Sequence, residues 1–261
     1  MTVLKSILSS KLKEVQRLKM EVDLSTWREK ALAGQPCRDL VAALRACRHA
    51  PVIAEIKRMS PSEGMLRDVE SAEQLARCYE AAGAVALSVL TDGPFFHGSL
   101  EDLKQARAAV NIPILRKDFI LDPVQVYESK LAGADAVLLI AAALEPSQLK
   151  ALYMTALSLG MTPLVEVHDE SELPVVLELQ PRLVGINNRN LGTLEVSLDN
   201  CVKLRPLIPP GVLVLGESGI RGPADVSRLR QAGIDAFLVG TTLMRSPDVG
   251  QALTELCRAG A

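Results

Sequence analysis

Aromatic side chains are scarce in this 261-residue chain: they make up 3% of it, against 48% for all apolar residues. The core must therefore consist of valine, leucine, isoleucine and alanine. This composition suits buried parallel strands covered by helices better than an aromatic-rich β-sandwich. A basic patch is also missing, since the formal net charge is −2 and acidic and basic residues are interspersed. We therefore expect no nucleic-acid partner.

Clustered metal-binding residues and long apolar runs are absent as well. The five cysteines are widely spaced without a C-x-x-C pair, and the three histidines are scattered, so we expect reduced thiols and no metal site. The longest apolar run, residues 136–144, is far shorter than the about 18 residues that a membrane span needs. Lysines lie within the N-terminal apolar pattern rather than ahead of it, unlike in a signal peptide. We expect a cytoplasmic protein without membrane contact.

The first fifty residues carry a helical pattern. Leucine, isoleucine and valine recur at helical spacing over residues 4–18, with mostly charged and polar residues between them, and a second helical stretch follows near residues 38–48. A helix that binds a membrane surface or a partner would fit this pattern, but the simpler interpretation is a helix packed on the domain. We expect residues 1–50 to form a helical extension of one domain that spans residues 1–261.

From residue 51 onward, eight short apolar runs alternate with helical patterns, and this alternation predicts parallel strands joined by right-handed crossovers. Glycines at Gly83, Gly133 and Gly233 precede three runs, where glycine ends a helix and lets the chain turn into a strand. Eight units predict a single (β/α)8 barrel, the TIM barrel, rather than two domains or an open doubly wound sheet. The runs are residues 52–56, 84–90, 113–115, 136–140, 163–167, 183–186, 212–215 and 236–239.

Charged residues collect at the ends of these runs, where the active residues of a barrel lie. Because side chains alternate across a strand, Glu55 and Lys57 project to the same side, as do Lys117 and Phe119. Facing the helices, an isolated Glu55 would cost several kcal/mol, so we expect it to face the barrel axis. Ion pairs that only satisfy one another remain an alternative, but buried pairs rarely offset their desolvation, which favours function. The charged strand ends are Glu55, Lys57, Lys117, Glu166 and Glu217.

Small residues follow the seventh and eighth runs. The segments Gly216-Glu217-Ser218-Gly219 and Gly240-Thr241 place them directly before predicted helices. Glycine lets a ligand approach the backbone, and the amides at a helix N-terminus favour an anion. We therefore expect a phosphate group here, with Arg189 adding charge, although the glycines could also serve only tight turns.

Together the strand ends resemble the indole-3-glycerol phosphate synthases. Single motifs are modest evidence, but their order and spacing are specific and cover nearly the whole chain. The resembling segments are Ile-Ala-Glu55-Ile-Lys57-Arg-Met-Ser60-Pro61-Ser62-Glu-Gly64, Phe96-His-Gly98-Ser99, Leu-Arg-Lys117-Asp118-Phe119-Ile120, Leu-Val-Glu166-Val-His, Gly-Ile-Asn187-Asn188-Arg189-Asn190-Leu191, Gly216-Glu217-Ser218-Gly219-Ile220 and Leu-Val-Gly240-Thr241-Thr242-Leu-Met244.

This resemblance implies ring closure of 1-(o-carboxyphenylamino)-1-deoxyribulose 5-phosphate with loss of CO2 and water, in tryptophan biosynthesis and without a cofactor. It implies that Lys117 protonates the ketone oxygen, that Lys57 holds the substrate carboxylate or phosphate, and that Glu166 and Glu55 handle protons in the dehydration. The implied catalytic residues are Glu55, Lys57, Lys117, Glu166, Asn187, Glu217 and Ser218. The implied substrate-binding residues are Ser60, Pro61, Phe96, Phe119, Leu138, Arg189, Leu191, Gly219, Gly240 and Thr241.

Two other functions stay open at this point. A phosphoribosylanthranilate isomerase would use a cysteine and an aspartate as its acid and base, where this chain has lysine and glutamate. A non-catalytic barrel that binds an anionic metabolite or a protein would have little reason to place Lys117 opposite Glu166. Met59, Glu63 and His168 depart from the commonest family pattern, and His168 could tune Glu166 or be a polar rim residue. We expect a monomer or a weak homodimer.

Overall fold

A computed structural model describes residues 3–67, 71–190 and 193–259. Eight parallel strands close into a barrel in which the last strand pairs with the first. Every strand overlaps one predicted run, and the first, fourth and eighth coincide with theirs, so the barrel prediction is confirmed. The strands are β1 (Val52–Ile56), β2 (Ala86–Leu90), β3 (Ile114–Lys117), β4 (Ala136–Ile140), β5 (Thr162–Val167), β6 (Leu183–Asn187), β7 (Leu213–Glu217) and β8 (Ala236–Val239).

Helices precede the barrel and connect its strands. A two-stranded antiparallel pair, Met59–Ser60 with Gly64–Met65, follows β1. None of the described helices is long and apolar enough to cross a membrane. The helices are α1 (Val3–Glu21), α2 (Leu24–Ala33), α3 (Leu40–Ala46), α4 (Ala72–Ala81), α5 (Gly93–Phe96), α6 (Leu100–Ala109), α7 (Pro123–Ala132), α8 (Pro146–Ser158), α9 (Leu173–Leu177), α10 (Asp199–Leu204), α11 (Pro223–Gln231), α12 (Thr241–Arg245) and α13 (Val249–Arg258).

Three turns from a helix into a strand contain the glycines that the sequence predicted there. Gly83, Gly133 and Gly233 have φ angles of +101°, +93° and +87°, the left-handed conformation that ends a helix without a Cβ clash. Helix α2 was not predicted, because its apolar residues do not form a clear stripe. A start signal was nevertheless available, since the side chain of Asp23 accepts hydrogen bonds from the backbone N–H groups of Ser25 and Thr26.

Two apolar layers form the core. The outer layer lies between the strands and their covering helices, and the inner layer fills the barrel with aliphatic side chains such as Ile53, Leu115 and Leu164. Leu40 and Leu44 of α3 are buried in the inner layer, so this helix closes one end of the barrel. The aliphatic core expected from the composition is therefore present.

Helix α1 is tied to the barrel by a lysine. The Lys11 side chain is fully buried, and its Nζ lies 2.8 Å from Asp118 Oδ1 and 3.1 Å from Asp92 Oδ2. Burial lowers the pKa of Lys11, but the two aspartates outweigh that effect and raise it, so Lys11 stays charged. Burial raises the pKa of Asp118, but Arg116, 3.1 Å away, and Lys11 lower it to about 2. Lys11 thus joins α1 to the carboxyl ends of β2 and β3.

Replacing Lys11 with methionine tests this anchor. We expect K11M to reduce the free energy of unfolding by about 3–5 kcal/mol, because Asp118 and Asp92 would lose the buried charge that compensates them. Urea unfolding at neutral pH measures the change. K13M is the matched control, since Lys13 is exposed on the same helix. A K11M protein within 1 kcal/mol of K13M would contradict the anchor.

Candidate active site

A cavity of about 410 Å³ opens at the carboxyl ends of the strands. Leu191, a predicted substrate-binding residue, lies outside the described residues. The other predicted site residues all line this cavity, so the barrel brings together positions far apart in the chain. They are Glu55, Lys57, Ser60, Pro61, Phe96, Lys117, Phe119, Leu138, Glu166, Asn187, Arg189, Glu217, Ser218, Gly219, Gly240 and Thr241.

Lys117 lies between two buried glutamates. Its Nζ donates a hydrogen bond to Glu166 Oε2 at 3.1 Å and lies 3.4 Å from Glu217 Oε2. Lys117 ends β3, Glu166 lies on β5 and Glu217 ends β7, so alternate strands supply the three side chains. Both glutamate side chains are only 2% exposed, which makes the interactions among these charges strong.

The environment separates the two glutamates electrostatically. Burial raises the pKa of Glu166, but Lys117 and His168 outweigh it and hold that pKa below its usual range. Burial and the neighbouring Glu166 carboxylate raise the pKa of Glu217 well above its usual range. Burial lowers the pKa of Lys117, but Glu166, Glu217 and Glu55 raise it by more. These directions favour an ammonium on Lys117, a carboxylate at Glu166 and a proton on Glu217.

Hydrogen bonding agrees with a protonated Glu217. Within the described parts of the chain, neither of its carboxyl oxygens accepts a hydrogen bond, and the 3.4 Å contact with Lys117 lacks hydrogen-bond geometry. A proton on Glu217 can be donated to Glu166, and this interaction adds to the larger effects of Lys117 and His168 that lower the pKa of Glu166. The pair can therefore supply one acid and one base.

Glu55 and Lys57 form a second charged pair. Lys57 Nζ lies 2.9 Å from Glu55 Oε1, and Ser88 Oγ donates to Glu55 Oε2 at 3.4 Å. The prediction that Glu55 and Lys57 share a side and face the barrel interior is confirmed. Glu55 is buried, whereas the Lys57 side chain is 14% exposed at the mouth, where a ligand can reach it.

Two glycines make room for these carboxylates. A Cβ on Gly185 of β6 would overlap Glu217 Oε1, and a Cβ on Gly240 would overlap Glu55 Oε1. Glycine at both positions therefore lets a buried carboxylate lie close to the backbone, and a Cβ there would displace that carboxylate. For Gly240 this adds to the phosphate role expected from the sequence, and for Gly185 the sequence analysis offered no role.

The turn after β7 differs from expectation. Helix α11 begins at Pro223, so the prediction that a helix directly follows the Gly219 segment was wrong. Instead Ser218 and Gly219 have φ angles of +63° and +80° and form a left-handed turn. Of the two glycine segments, only the one after β8 leads directly into a helix, since α12 begins at Thr241 immediately after Gly240. A left-handed serine is costly, and such strain often occurs at functional sites.

The apolar wall of the cavity combines predicted and missed residues. The ring centroids of Phe96 and Phe119 are 6.2 Å apart, and Leu138 lines the same cavity. Val3 and Leu4 of α1 also line it. The amphipathic pattern predicted that α1 has an apolar face, but it carried no signal for what that face covers.

Two arginines form ion pairs with one glutamate in the lining of the cavity. Arg189 Nη2 lies 3.6 Å from Glu63 Oε1, and Arg245 Nη2 lies 2.7 Å from Glu63 Oε2. Arg245, which the sequence analysis missed, lies in α12, one turn after Thr241. The sequence did contain a signal for Arg245, because a residue four positions after Thr241 in a helix lies on the same side as Thr241. Glu63 thus balances two cations beside the expected phosphate position.

The family model and the relatives that match in sequence agree on one family. The model of a family described as indole-3-glycerol phosphate synthase matches residues 4–256. A protein of that name from Polaromonas sp. strain JS666 is 50% identical over 257 residues, 97% of each chain. One from Neisseria gonorrhoeae strain NCCP11945 is 48% identical over 257 residues, 97% of this chain and 98% of that protein. A solved structure described as native KDPGal has a TM-score of 0.57 at 18% identity, covering 80% of this chain and 93% of that one, and shows the fold alone.

Removing the acidity of each glutamate tests the electrostatic separation. When the pKa of a carboxyl group is higher in the folded state than in the unfolded state, the group ionises in the unfolded chain first as the pH rises. Above the unfolded-state pKa, the free energy of unfolding therefore falls with rising pH until the folded-state pKa is reached. We expect E217Q to gain stability relative to the parent by about 1 kcal/mol or more from about pH 5 to pH 7. E166Q is the matched control and should lose stability at pH 7, since Lys117 loses its carboxylate. Urea unfolding at both pH values measures the differences, and equal effects of the two variants would contradict the assignment.

Proposed function

The chain belongs to the indole-3-glycerol phosphate synthase family, and we propose on that basis how its residues perform the family's reaction. The enzyme is a carboxy-lyase of tryptophan biosynthesis. It closes the ring of 1-(o-carboxyphenylamino)-1-deoxyribulose 5-phosphate to indole-3-glycerol phosphate, with loss of CO2 and water. The observation that carries the residue roles is the position of Lys117 between Glu166, whose pKa is lowered, and Glu217, whose pKa is raised.

Lys117 is the proposed general acid for ring closure. As the new carbon–carbon bond forms, the ketone oxygen gains negative charge, and an ammonium at the end of β3 can both stabilise that charge and transfer a proton. The raised pKa of Lys117 keeps it protonated until this charge develops. Decarboxylation follows, with Lys57 at the mouth proposed to hold the substrate carboxylate or phosphate.

Glu166 and Glu55 are the proposed proton carriers in the dehydration, with Asn187, Glu217 and Ser218 assisting. Glu166 is ionised and can take a proton from the carbon beside the nitrogen. The Oδ1 atom of Asn187 accepts the backbone N–H of Arg189 at 3.0 Å, which directs its amide nitrogen elsewhere and makes it a donor for the leaving oxygen. These steps transfer protons and no electrons to an acceptor, so the proposal involves no cofactor.

The cavity walls provide the binding contacts. Phe96, Phe119 and Leu138 are proposed to hold the benzoid ring, with Ser60 and Pro61 beside it. The phosphate is proposed to contact the segments after β7 and β8, where glycine admits close approach. Arg189 and Leu191 complete the proposed binding set, and Lys57 is a further candidate for the phosphate. The phosphate residues after these two strands are Gly219, Gly240 and Thr241.

We also propose that residues 1–50 are an extension of a single domain that spans residues 1–261. The burial of Lys11 against Asp118 and of Leu40 in the barrel supports this arrangement. A cytoplasmic location and a monomeric or weakly dimeric state remain predictions.

Removing the Lys117 amine tests the proposed acid. We expect K117A to lower kcat by about a hundredfold or more, because the ketone oxygen would lose its proton donor. Indole fluorescence that develops after addition of the carboxyphenylamino ribulose phosphate measures the rate. The control is K104A, since Lys104 is an exposed lysine on α6. Near-normal turnover by folded K117A would exclude this role.

Removing the Arg189 guanidinium tests the phosphate position. We expect R189A to raise KM for the substrate about tenfold or more with little change in kcat, because one charge-assisted contact to the phosphate is lost. The inhibition constant of inorganic phosphate should rise in parallel. R182A is the control, because Arg182 pairs with Asp39 on an exposed part of the surface. Unchanged values in R189A would place the phosphate elsewhere.

A further inference from the structure

His168 lies at the end of β5 with its ring between two carboxylates. Its Nε2 is 3.2 Å from Glu166 Oε1, and its Nδ1 is 4.0 Å from Glu172 Oε2. The side chain is 8% exposed, and neither ring nitrogen makes an aligned hydrogen bond within the described residues. The imidazole is therefore nearly buried beside two carboxylates, and the hydrogen-bonding capacity of its nitrogens is not fully used in this arrangement.

The three side chains form a path from the cavity to the surface. The exposed fraction rises from 2% for Glu166 to 8% for His168 and 17% for Glu172. Glu172 is held beside the imidazole, because its Oε2 accepts the backbone N–H of His168 at 2.8 Å. Asn200 of α10 donates to the backbone oxygen of His168 at 3.1 Å and fixes the strand end.

Other charged groups nearby have partners of their own. Asp169 accepts the backbone N–H of Ser171 at 2.9 Å, and Glu170 pairs with Lys203 of α10 at 3.6 Å. Lys117 lies on the far side of Glu166. Among the described residues, Glu166 and Glu172 are the ion-pair neighbours of the imidazole.

The reaction requires a proton from outside. Two protons are added to the ketone oxygen before it leaves as water, and one proton is removed from the carbon beside the nitrogen. The substrate carboxylate leaves as neutral CO2, and its electron pair remains with the ring that becomes the indole. Each turnover therefore takes up one proton, while the bound substrate fills the mouth of the cavity.

We propose that His168 is a positioning residue and proton carrier that links Glu166 to Glu172 at the surface, and this inference rests on the proposed role of Glu166. A proton passes from water to Glu172, from its carboxyl to Nδ1, from Nε2 to Glu166, and from Glu166 to Lys117. Each transfer breaks one O–H or N–H bond and forms another. The 4.0 Å gap is closed by rotation of the imidazole or by one water.

The chemistry of the chain suits this task. Histidine exchanges protons near neutral pH through two nitrogens, so it can accept at one and donate at the other. Burial raises the pKa of Glu172 above its usual value, which brings this carboxyl closer to neutrality as a carrier. The contact with Glu166 also orients the base toward the cavity.

Asparagine at position 168 tests the proposal. We expect H168N to lower kcat about tenfold with KM within about twofold of the parent, because proton delivery becomes limiting while binding is intact. The kcat of H168N should then depend on buffer, and added imidazole should restore it in large part. E172Q keeps the acceptor for the His168 N–H and should show a smaller loss with the same buffer dependence.

Two controls distinguish proton transfer through His168 from a purely structural role of this residue and from a failure of the proposed reaction. H49N is the matched control, because His49 lies before β1 and contacts Cys47 and Ala50 instead. Turnover by the unaltered enzyme tests the reaction independently of His168. A parental kcat and pH profile in H168N would overturn the proposal. A loss of kcat that imidazole does not restore would equally overturn it, and E172Q carries the same test if H168N does not fold.

Discussion

The placement of one lysine charge between two buried carboxyl groups is the constraint on which this site depends. Buried charges cost several kcal/mol each unless partners of opposite sign are held at contact distance. Lys117, Glu166 and Glu217 meet that condition because β3, β5 and β7 are alternate strands. Alternate strands of a barrel supply one layer of interior side chains. Glu55 of β1 belongs to the same set, so the barrel geometry itself assembles the charges.

The neighbouring glycines and helices are explained by the same constraint. Gly185 and Gly240 leave the volume that the carboxylates of Glu217 and Glu55 occupy. Around the end of β3 the side chains alternate: Lys117 points into the barrel, while Arg116 and Asp118 point outward. Arg116 pairs with Asp118 and Glu128, and Lys11 adds a second cation beside Asp118. Helix α1 is therefore joined to the strand that carries the proposed acid, and its apolar face lines the cavity. Packing of the extension and the electrostatics of the site are connected through adjacent residues of one strand.

Much of this arrangement was predictable from short-range patterns. Apolar runs with helical patterns between them predicted every strand of the barrel, and the parity of Glu55 and Lys57 placed both in the barrel interior. These predictions succeed because strand alternation and glycine turns are local properties of the backbone. Arg245, Glu63 and the α1 residues were not assigned to the site, because their contacts cross large separations in the chain. The left-handed turn at Ser218 was also missed, since serine rarely adopts that conformation.

The sequence by itself determined the barrel, the identity of the charged strand ends and the family. Tertiary structure alone decided which charges meet, and therefore which glutamate has a lowered pKa and which a raised one. Glu166 and Glu217 are chemically identical side chains, and their pKa values move apart because burial, Lys117, His168 and the charge of Glu166 itself act on them unequally. Electrostatic energies depend on distance and desolvation. Those quantities exist only once the chain has closed into the barrel.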